Sequence, residues 1–486
     1  MEVMPDVFSL STAALTRTFR PEPSGINCRH RGTGSAVGLA EISESSLWSD
    51  QRASGGKAGL YVVETIICHV SHLISISCLH ARRVRLMRVC MIAYSFYESD
   101  SRIIQYARSL TRRGDSVDVI ALAHVGVPRF EVIDGVNVYR VQQREINERV
   151  AFSYLFRILR FLLLAMAVLT WKHFRKRYQL VHVHSVPDFL VIAALPLRLT
   201  GVPVILDIHD ILPEFYASKF RTGQDSAVYR ALLIVEKLSA RLASHVIIAN
   251  DLWYDRLVKR SVAKEKCSVI CNYPDSSIFH RYPKSPRNGR FLLMYPGSLN
   301  WHQGVDIAIR AFAQVVSKIK TAEFDIYGEG PARPDLEKLI EELGLQHKVQ
   351  LQDYEPIGEI ARIMATADLA IVPKRASSSF GNEAASTKVQ EFMAVGVPVI
   401  VSRTRIDSFY FNESKVKFFE SENVDALVNA IIELYVDPEE RRKLVEGADH
   451  HIQQNNWDVK QYEYLSVVDS LVGKQAHASS RSNVAW

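Results

Sequence analysis

The feature that most constrains the fold of this chain is a regular alternation of short, continuous apolar runs with longer amphipathic segments, which begins at Met87. Apolar runs that are continuous, rather than alternating with polar residues, are typical of parallel strands that helices cover on both faces. Strands and helices that follow one another in turn form βαβ units. The pattern therefore predicts an α/β protein with doubly wound parallel sheets.

The first series of strands and helices predicts a domain over residues 87–285. Its clearest helix covers Ile103–Arg113 and ends at Gly114, a residue that favours helix termination. A second helix is predicted over Ala227–Ala243. The predicted strands are Val89–Ala93, Val117–Leu122, Leu180–His184, Pro203–Asp207, His245–Ala249 and Cys267–Cys271.

A segment rich in proline and basic residues, Ser277–Arg290, interrupts the pattern and is predicted to be an interdomain linker. A second α/β domain is predicted over 286–456, a helix that packs back toward the first domain over 457–473, and a disordered tail over 474–486. Two such domains leave a cleft at the carboxyl ends of their strands, where ligands of these sheets bind. The strands of the second domain are predicted at Phe291–Tyr295, Glu323–Tyr327, Lys348–Gln352, Leu369–Pro373 and Val397–Val401.

The composition of the 486 residues excludes several classes of protein. With 48% hydrophobic residues and 23% charged residues, the chain is neither mainly disordered nor collagen-like. A net charge of +6 is too small to indicate a nucleic-acid partner. Six cysteines without regular spacing are typical of a reduced, intracellular protein. Cys267 and Cys271 lack a second pair at zinc spacing, so we expect no metal site.

Residues 1–86 differ from the rest of the chain and show no sustained period before Lys57. The segment Leu60–Leu79 has the length of a membrane span, but Glu64, His69 and His72 interrupt it. We interpret 1–86 as a poorly structured extension or a misassigned start, with a membrane anchor as the alternative.

The segment Phe152–Trp171 is apolar almost all round and is flanked by basic residues. Its uninterrupted apolar part is too short to span a bilayer. It suits a helix that lies in the interface of a membrane with anionic lipids, and the alternative is a helix buried in the domain core. The basic residues are Arg149, Arg157, Arg160, Lys172, Arg175, Lys176 and Arg177.

The strongest chemical signal lies between two predicted strands, where seven residues separate Glu383 from Glu391. Two turns of helix cover about seven residues, so both carboxylates can face one cleft. Carboxylates accept hydrogen bonds from vicinal hydroxyls, such as those of a ribose or a hexose. Lys388 lies between them and can meet a phosphate as a point charge.

This segment resembles the retaining GT-B glycosyltransferases of the family 4 group. The resemblance is carried by Glu383-x7-Glu391 and by Ser386–Ile400, which fits the subgroup pattern S/T-x-K-x-x-E-[YF]-M-A-x-G-x-P-V-I. Further family features recur in order as LVHVHSVPD, LDIHD, IYGEGP and ATADLAIVP. The resemblance covers about residues 87–473 and implies the GT-B fold, in which two Rossmann-like domains face a central cleft.

The resemblance also implies roles for individual residues. Glu391 would bind the ribose of a nucleotide-sugar donor, and Glu383 would contact hydroxyls of the transferred sugar. His209 would reach the sugar near the reacting carbon. Gly297 and Ser298 would form the turn that approaches the diphosphate, with Gly328 in a loop nearby.

The chain departs from the family pattern at the phosphate site. Ser298 and Gln303 stand where the family usually has arginine and lysine. Lys388 is the first candidate to compensate for the missing cations. Lys374 and Arg375 are weaker candidates, with plain solvated charges as the alternative. The usual double glycine after the first strand is also absent, and Asp100 and Arg102 stand at the following helix start. Arg102 is expected either to hold a phosphate or acceptor anion or to be a surface charge.

Taken with the resemblance, the sequence predicts a retaining, metal-independent hexosyltransferase whose co-substrate is a nucleotide sugar and which needs no other cofactor. The basic apolar helix favours a glycan or lipid-linked acceptor in surface polysaccharide or glycolipid synthesis. We expect the protein to be cytoplasmic and peripheral on the inner face of the cytoplasmic membrane. Two alternatives are a degenerate nucleotide-sugar-binding partner subunit and a GT-B-like nucleotide-sugar epimerase.

Overall fold

The computed structural model describes residues 86–144, 151–220, 225–283 and 289–482. The described residues belong to one compact unit that extends from Leu86 onward. The extension or anchor predicted for the beginning of the chain lies outside the described residues, apart from Leu86 itself. Two α/β lobes make up the described part, and the predicted GT-B fold is confirmed.

The first lobe contains a sheet in which eight described strands are ordered β3-β4-β2-β1-β5-β6-β7-β8. All pairings are parallel except that of β3 with β4. The central strands are buried on both faces, which explains their continuous apolar sequences. The strands are β1 (Arg88–Ala93), β2 (Ser116–Ala123), β3 (Phe130–Ile133), β4 (Val136–Gln143), β5 (Leu180–His184), β6 (Val204–Ile208), β7 (His245–Ile248) and β8 (Cys267–Val269).

The hairpin of β3 and β4 was not predicted from the sequence. Asp134 and Gly135 connect the two strands with positive φ angles of 50° and 80°. An Asp-Gly pair between two strand-forming runs is a recognised hairpin signal, since both residues tolerate this conformation. The hairpin extends the sheet at its edge, away from the carboxyl ends of β5 and β6.

Helices cover both faces of this sheet. The longest within the lobe, α2, packs its buried side chains Phe161 and Leu169 into the same core as strand residues Ile92 and Val183. The helices of the lobe are α1 (Ser101–Arg112), α2 (Ala151–Lys176), α3 (Leu195–Leu199), α4 (Leu212–Phe220), α5 (Ala227–Leu242) and α6 (Asp251–Arg260).

The second lobe contains a parallel sheet in which six described strands are ordered β11-β10-β9-β12-β13-β14. Its strands are β9 (Phe291–Pro296), β10 (Ala322–Tyr327), β11 (Val349–Gln352), β12 (Leu369–Val372), β13 (Val399–Ser402) and β14 (Lys417–Phe419). Its helices are α7 (Val305–Lys318), α8 (Arg333–Glu342), α9 (Ile357–Met364), α10 (Ser379–Glu383), α11 (Thr387–Val395), α12 (Arg405–Tyr410), α13 (Val424–Val436) and α14 (Pro438–Gln454).

The chain passes into the second lobe earlier than predicted. Phe279 is 5% exposed and belongs to the core of the second lobe with Met294 and Phe392. The domain boundary therefore lies before residue 285, because the apolar side chain at 279 is buried by the second lobe. Residues 284–288 of the predicted linker lie outside the described part.

The last helix, α15 (Trp457–Ser482), returns to the first lobe. The Trp457 indole donates to Ser109 Oγ at 2.9 Å, and the Tyr464 hydroxyl lies 3.1 Å from His182 Nδ1. The prediction that residue 474 begins a disordered tail is wrong for residues 474–482, which continue the helix. The sequence after Gly473 holds good helix formers and no proline, so nothing in it stops the helix. Residues 483–486 lie outside the described part.

Candidate active site

A cluster of histidines surrounds a buried carboxylate at the carboxyl ends of β5 and β6. Asp207 is fully buried, and its Oδ2 lies 3.0 Å from His209 Nε2 and 3.2 Å from His184 Nδ1. Since His209 Nε2 faces Asp207, Nδ1 is the ring nitrogen that remains for a ligand. His209 thus lies at the strand end where the sequence predicted it.

The electrostatics of this cluster favour a charged His209. Burial lowers the pKa of His209, but the negative charge of Asp207 and its hydrogen bond outweigh burial and raise this pKa. Burial opposes ionisation of Asp207, yet the Arg102 guanidinium holds the pKa of Asp207 well below its usual range. An imidazolium donates from both nitrogens, so His209 can hold Asp207 with one N–H and a ligand oxygen with the other.

Arg102 is a buried ion-pair partner, so the alternatives of an anion site and a surface charge are both wrong for it. Its Nε donates to Asp207 Oδ2 at 2.8 Å and its Nη2 to Oδ1 at 2.7 Å. Nη1 donates to the Ile270 carbonyl and to Asn272 Oδ1. Arg102 is 6% exposed, and its guanidinium donates to groups of the protein itself. It therefore fixes Asp207 and does not bind a phosphate.

Asp100 caps the N-terminus of α1, where its Oδ1 accepts from the Ile103 backbone N–H at 3.3 Å. Its charge also contributes to the raised pKa of His209, which places Asp100 on the same side of the lobe. Asp210, the residue after His209, has its pKa raised to about 6 by burial. Burial outweighs the opposing positive charges of His209 and Arg102, which explains this direction.

In the second lobe, Gly297 and Gly328 bring two strand ends into close contact. Gly297 follows β9 with φ 141°, and Gly328 follows β10 with φ 140°. A Cβ on Gly328 would lie 2.0 Å from the Gly297 carbonyl oxygen. A Cβ on Gly297 would lie 2.0 Å from Lys388 Cε and 2.6 Å from its Nζ. Only glycine permits this approach of the Lys388 ammonium to the backbone.

Lys388 is a half-buried cation that makes no hydrogen bond or ion pair with any residue the structure describes. Its Nζ lies 5.4 Å from the centre of the Tyr295 ring. Burial lowers the pKa of Lys388 to about 8, against the opposing effect of the Glu391 carboxylate. Burial likewise raises the pKa of Glu391, although Lys388 and Thr387 counteract it. An anion beside Lys388 would favour the charged form of the lysine and raise this pKa.

Lys374 is not available for a donor, contrary to its weaker prediction as a phosphate ligand. It is 2% exposed, its Nζ lies 2.8 Å from Asp407 Oδ2, and it donates to the Ala384 carbonyl at 2.7 Å. The buried carboxylate neutralises its charge. Ser298 is half-buried at the Gly297 turn, and its carbonyl accepts from the Tyr295 hydroxyl at 3.0 Å.

Glu383 ends α10 and is held by two arginines. Arg256 of α6 donates to its Oε2 at 2.6 Å, and Arg405 donates to its Oε1 at 2.9 Å. Arg256 belongs to the first lobe and Arg405 to the second. The sequence predicted Glu383 as a sugar ligand but not these partners, because arginines distant in sequence carry no local signal.

The short helix α10 is the part of the second lobe that enters the first. Phe380 is 4% exposed and packs with the core of the first lobe, with ring centres 5.0 Å from Phe215 and 5.7 Å from Trp253. Asn250 donates to the Glu383 carbonyl at 3.2 Å. The segment that carries Glu383 therefore forms one contact between the lobes, and Tyr410 of α12 forms another, since its hydroxyl donates to Asp251 Oδ2 at 2.7 Å.

The described residues contain one group with metal-ligand chemistry, His182, His184 and Asp207, whose ligand atoms lie within 4.8 Å of one another. Both oxygens of Asp207 already accept from Arg102. A divalent ion there would lie beside a buried guanidinium, so the group fits a hydrogen-bond network around His209 better than a metal site.

Helix α2 has two contrasting faces. Ile158, Phe161 and Leu169 are buried, whereas a stripe of apolar side chains on the opposite face is exposed. Lys172 and Lys176 pair with Asp118, so these two of the predicted basic residues face the protein. No helix within the described ranges is long and apolar enough to cross a membrane. The exposed side chains are Leu155, Phe156, Leu159, Leu163, Trp171 and Phe174.

Both lobes match families of known proteins. Residues 278–451 match the family described as Glycosyl transferases group 1. Residues 101–273 match the family described as Glycosyl transferase 4-like domain. Together the two matches cover both lobes and meet near Phe279, where the structure places the passage between them.

Several curated relatives are similar in sequence. The chain is 25% identical over 322 residues to the uncharacterized glycosyltransferase MJ1607 of Methanocaldococcus jannaschii, covering 61% of this chain and 74% of the relative. It is 27% identical to the putative colanic acid biosynthesis glycosyltransferase WcaL of Escherichia coli, covering 31% and 37%. It is 25% identical to the gpi3 subunit of phosphatidylinositol N-acetylglucosaminyltransferase of Schizosaccharomyces pombe, covering 63% and 62%. The match thus spans less than two thirds of the length of the Escherichia coli and Schizosaccharomyces pombe relatives.

Solved structures share the fold at low identity. Sucrose-phosphate synthase from Thermosynechococcus elongatus superposes with a TM-score of 0.65 and 18% identity, over 80% of this chain and 100% of that one. Anabaena Alr3699/HepE in complex with UDP-glucose superposes with a TM-score of 0.59 and 17% identity, over 79% and 100%. These likenesses support the two-lobed architecture.

Proposed function

Because the chain carries both domains of a GT-B glycosyltransferase of the family 4 type, we propose that it is a retaining hexosyltransferase that uses a nucleotide-sugar donor. The observation that carries this proposal is the uncompensated ammonium of Lys388 beside the Gly297 and Gly328 bends. The ammonium, together with the backbone of the two glycines, which carry no side chain, lies where the family pattern has a diphosphate. The complexes of Alr3699/HepE with UDP and UDP-glucose make uridine donors the first to test.

The donor would lie along the second lobe with its sugar toward the first. Glu391 would accept hydrogen bonds from the ribose hydroxyls, and Glu383 from hydroxyls of the sugar, since carboxylates are acceptors with about four lone-pair sites. Lys388 would neutralise the diphosphate in place of the residues replaced by Ser298 and Gln303. His209 would donate from Nδ1 to the sugar beside its reacting carbon.

In the proposed reaction the bond between sugar C1 and the phosphate oxygen breaks, and its electron pair leaves with the diphosphate. A bond from C1 to the acceptor oxygen forms on the same face, and the proton of the acceptor hydroxyl passes to the departing phosphate oxygen. Fixed donors and cations around the diphosphate stabilise the charge that develops there. The lobes hold acceptor and donor together, which lowers the entropic cost of their encounter.

We further propose that the acceptor is a glycan or lipid-linked intermediate at the cytoplasmic face of a membrane. The exposed apolar stripe of α2 supports this, together with Arg160 and Arg175, which are exposed on the same helix. Apolar side chains can enter the headgroup region while arginines meet anionic lipids. Relatives whose names include colanic acid and phosphatidylinositol are consistent with such an acceptor.

The transferase activity is tested with radiolabelled nucleotide sugars, a lipid and glycan extract, and the full chain. We expect one donor to release its nucleoside diphosphate and label an acceptor, with the same anomeric configuration in product and donor by NMR. The Glu391→Ala variant should lose this activity. Donor conversion without acceptor would instead indicate an epimerase, and binding without turnover a degenerate partner subunit.

The membrane proposal is tested by flotation with vesicles that contain phosphatidylglycerol. We expect the wild-type chain to float, and Leu163→Glu, in the exposed stripe of α2, to float less. Leu199→Glu is the matched control, since Leu199 is 79% exposed at the end of α3. Equal flotation of both variants would contradict the role of α2.

A further inference from the structure

The charged side chains around Glu383 form an alternating ladder that crosses from one lobe to the other. Arg260 donates from Nε to Glu236 Oε1 at 2.9 Å and from Nη2 to Glu214 Oε2 at 3.0 Å. Arg256 then bridges Glu214, at 3.3 Å, and Glu383, at 2.6 Å. Acids and bases thus alternate along the whole ladder, from α5 to the carboxylate in α10.

The part of the ladder in the first lobe is rigid. Glu214 and Glu236 are each 1% exposed, and the Tyr229 hydroxyl donates to Glu214 Oε1 at 2.9 Å. Although burial raises the pKa of Glu214, Arg260 more than offsets this and keeps the carboxylate charged. A buried carboxylate with several donors has little freedom, so it holds the guanidinium of Arg256 in one place.

Glu383 retains acceptor capacity in this arrangement. A carboxylate has about four lone-pair sites, and the two arginines occupy one on each oxygen. Glu383 is 6% exposed, so a sugar would reach the remaining sites only at the small open part of this side chain. The arginines therefore orient the carboxylate and leave one acceptor site on each oxygen.

We propose that Arg256 is a positioning residue that sets the orientation of Glu383 toward the donor sugar, so that the sugar subsite is complete only when the lobes are docked. The inference rests on the proposed function, because it takes Glu383 to be a sugar ligand. Arg405 alone would fix Glu383 from within its own lobe, whereas Arg256 makes the orientation depend on the first lobe. The donor subsite is then coupled to the lobe expected to bind the acceptor.

The first test compares affinities for a nucleotide sugar and for its nucleoside diphosphate by calorimetry, with UDP-glucose, UDP-N-acetylglucosamine and GDP-mannose beside UDP and GDP. Arg256→Ala should weaken binding of the nucleotide sugar by about tenfold or more, because Glu383 then loses its orientation and its charge-assisted contact with the sugar. The affinity of this variant for the nucleoside diphosphate should stay within about twofold of the wild-type affinity. Arg256→Lys should recover part of the loss. Lys259→Ala, an exposed change on the same helix, should leave both affinities unchanged.

Equal losses for sugar-bearing and sugar-free ligands would overturn the inference, because a merely structural role moves both. An unchanged affinity of Arg256→Ala for the nucleotide sugar would overturn the inference as well.

A second test needs no donor. The urea midpoints of Arg256→Ala, Glu383→Ala and the double variant form a double-mutant cycle. We expect the double variant to lose less stability than the sum of the two single variants, because both changes remove the same Arg256–Glu383 ion pair. Additive shifts would overturn the inference. If the wild-type chain binds no nucleotide sugar, the proposed function fails and the sugar role of Arg256 fails with it, while a coupled cycle still shows that the ion pair exists.

Discussion

At the scale of single residues, the placement of Lys388 is the main chemical property of the second lobe. Its ammonium lies where a Cβ on Gly297 would collide with it, and burial lowers its pKa to about 8. A cation with this pKa is charged below pH 8 and neutral above. A bound diphosphate would favour the charged form and raise the pKa.

We therefore predict that affinity for the nucleoside diphosphate is highest below about pH 8 and falls as the pH rises through the pKa of Lys388. Lys388→Gln should weaken binding at pH 7 by about tenfold, since a hydrogen bond to a charged group is lost. The variant should also lose the pH dependence between pH 7 and pH 9. Calorimetry in buffers of different ionisation enthalpy measures both effects.

Lys338→Gln is the control, because Lys338 is exposed on α8 and pairs with Glu342 of the same helix. A pH dependence that Lys388→Gln retains unchanged would show that another group titrates.

Asp207 governs the protonation of His209 in the first lobe. Because the charge of Asp207 raises the pKa of His209, Asp207→Asn should lower the pKa of His209. NMR titration of the histidine Cε1–H signals measures the change, with His209→Gln to assign the resonance. The variant should also unfold at lower urea, because Arg102 would remain buried without its carboxylate. An unshifted His209 signal would contradict the assigned network.

At the scale of elements, α10 joins the two lobes through Phe380. Replacing this buried ring by alanine leaves a cavity between Phe215 and Trp253, so Phe380→Ala should lower the free energy of unfolding by about 3 kcal/mol. Phe409→Ala is the control, because Phe409 is 55% exposed, and its effect should stay within about 0.5 kcal/mol. Urea unfolding followed by tryptophan fluorescence measures both. If Phe380→Ala and Phe409→Ala lowered the free energy of unfolding by similar small amounts, the lobes would not dock through α10.

Elements with strong local patterns were predictable from the sequence. Continuous apolar runs located the central parallel strands to within about two residues at most boundaries, because burial on both faces demands apolar residues at every position. The edge hairpin of β3 and β4 was missed, since exposed strands such as Phe130–Ile133 carry no such run. The Asp134-Gly135 turn was the signal that could have identified it.

The same limit applies to the candidate site. Motif spacing singled out Glu383, Lys388 and Glu391, and the resemblance added His209, but neither could show which charges are already paired. Lys374 was expected as a weaker phosphate ligand, and Arg102 either as an anion ligand or as a surface charge. Both are neutralised by carboxylates far away in the sequence. Pairing of this kind depends on tertiary contacts.

At the scale of the whole molecule, one of the contacts between the lobes passes through the segment that carries Glu383. Asn250, Arg256 and Phe215 of the first lobe all contact α10. A change in the relative position of the lobes would therefore alter the surroundings of Glu383 directly. Glu391 and Lys388 lie on α11, outside these contacts, so nucleotide binding and sugar orientation can be affected separately.

The proposed function requires that the cleft bind a nucleotide sugar through Glu391. Calorimetric titration of a panel of nucleotide sugars into the full chain and into Glu391→Ala measures this binding. We expect one nucleotide sugar to bind to the wild-type chain and the variant to lose most of this affinity, because the ribose hydroxyls lose their acceptor. Absence of binding, or equal binding by the variant, would contradict it.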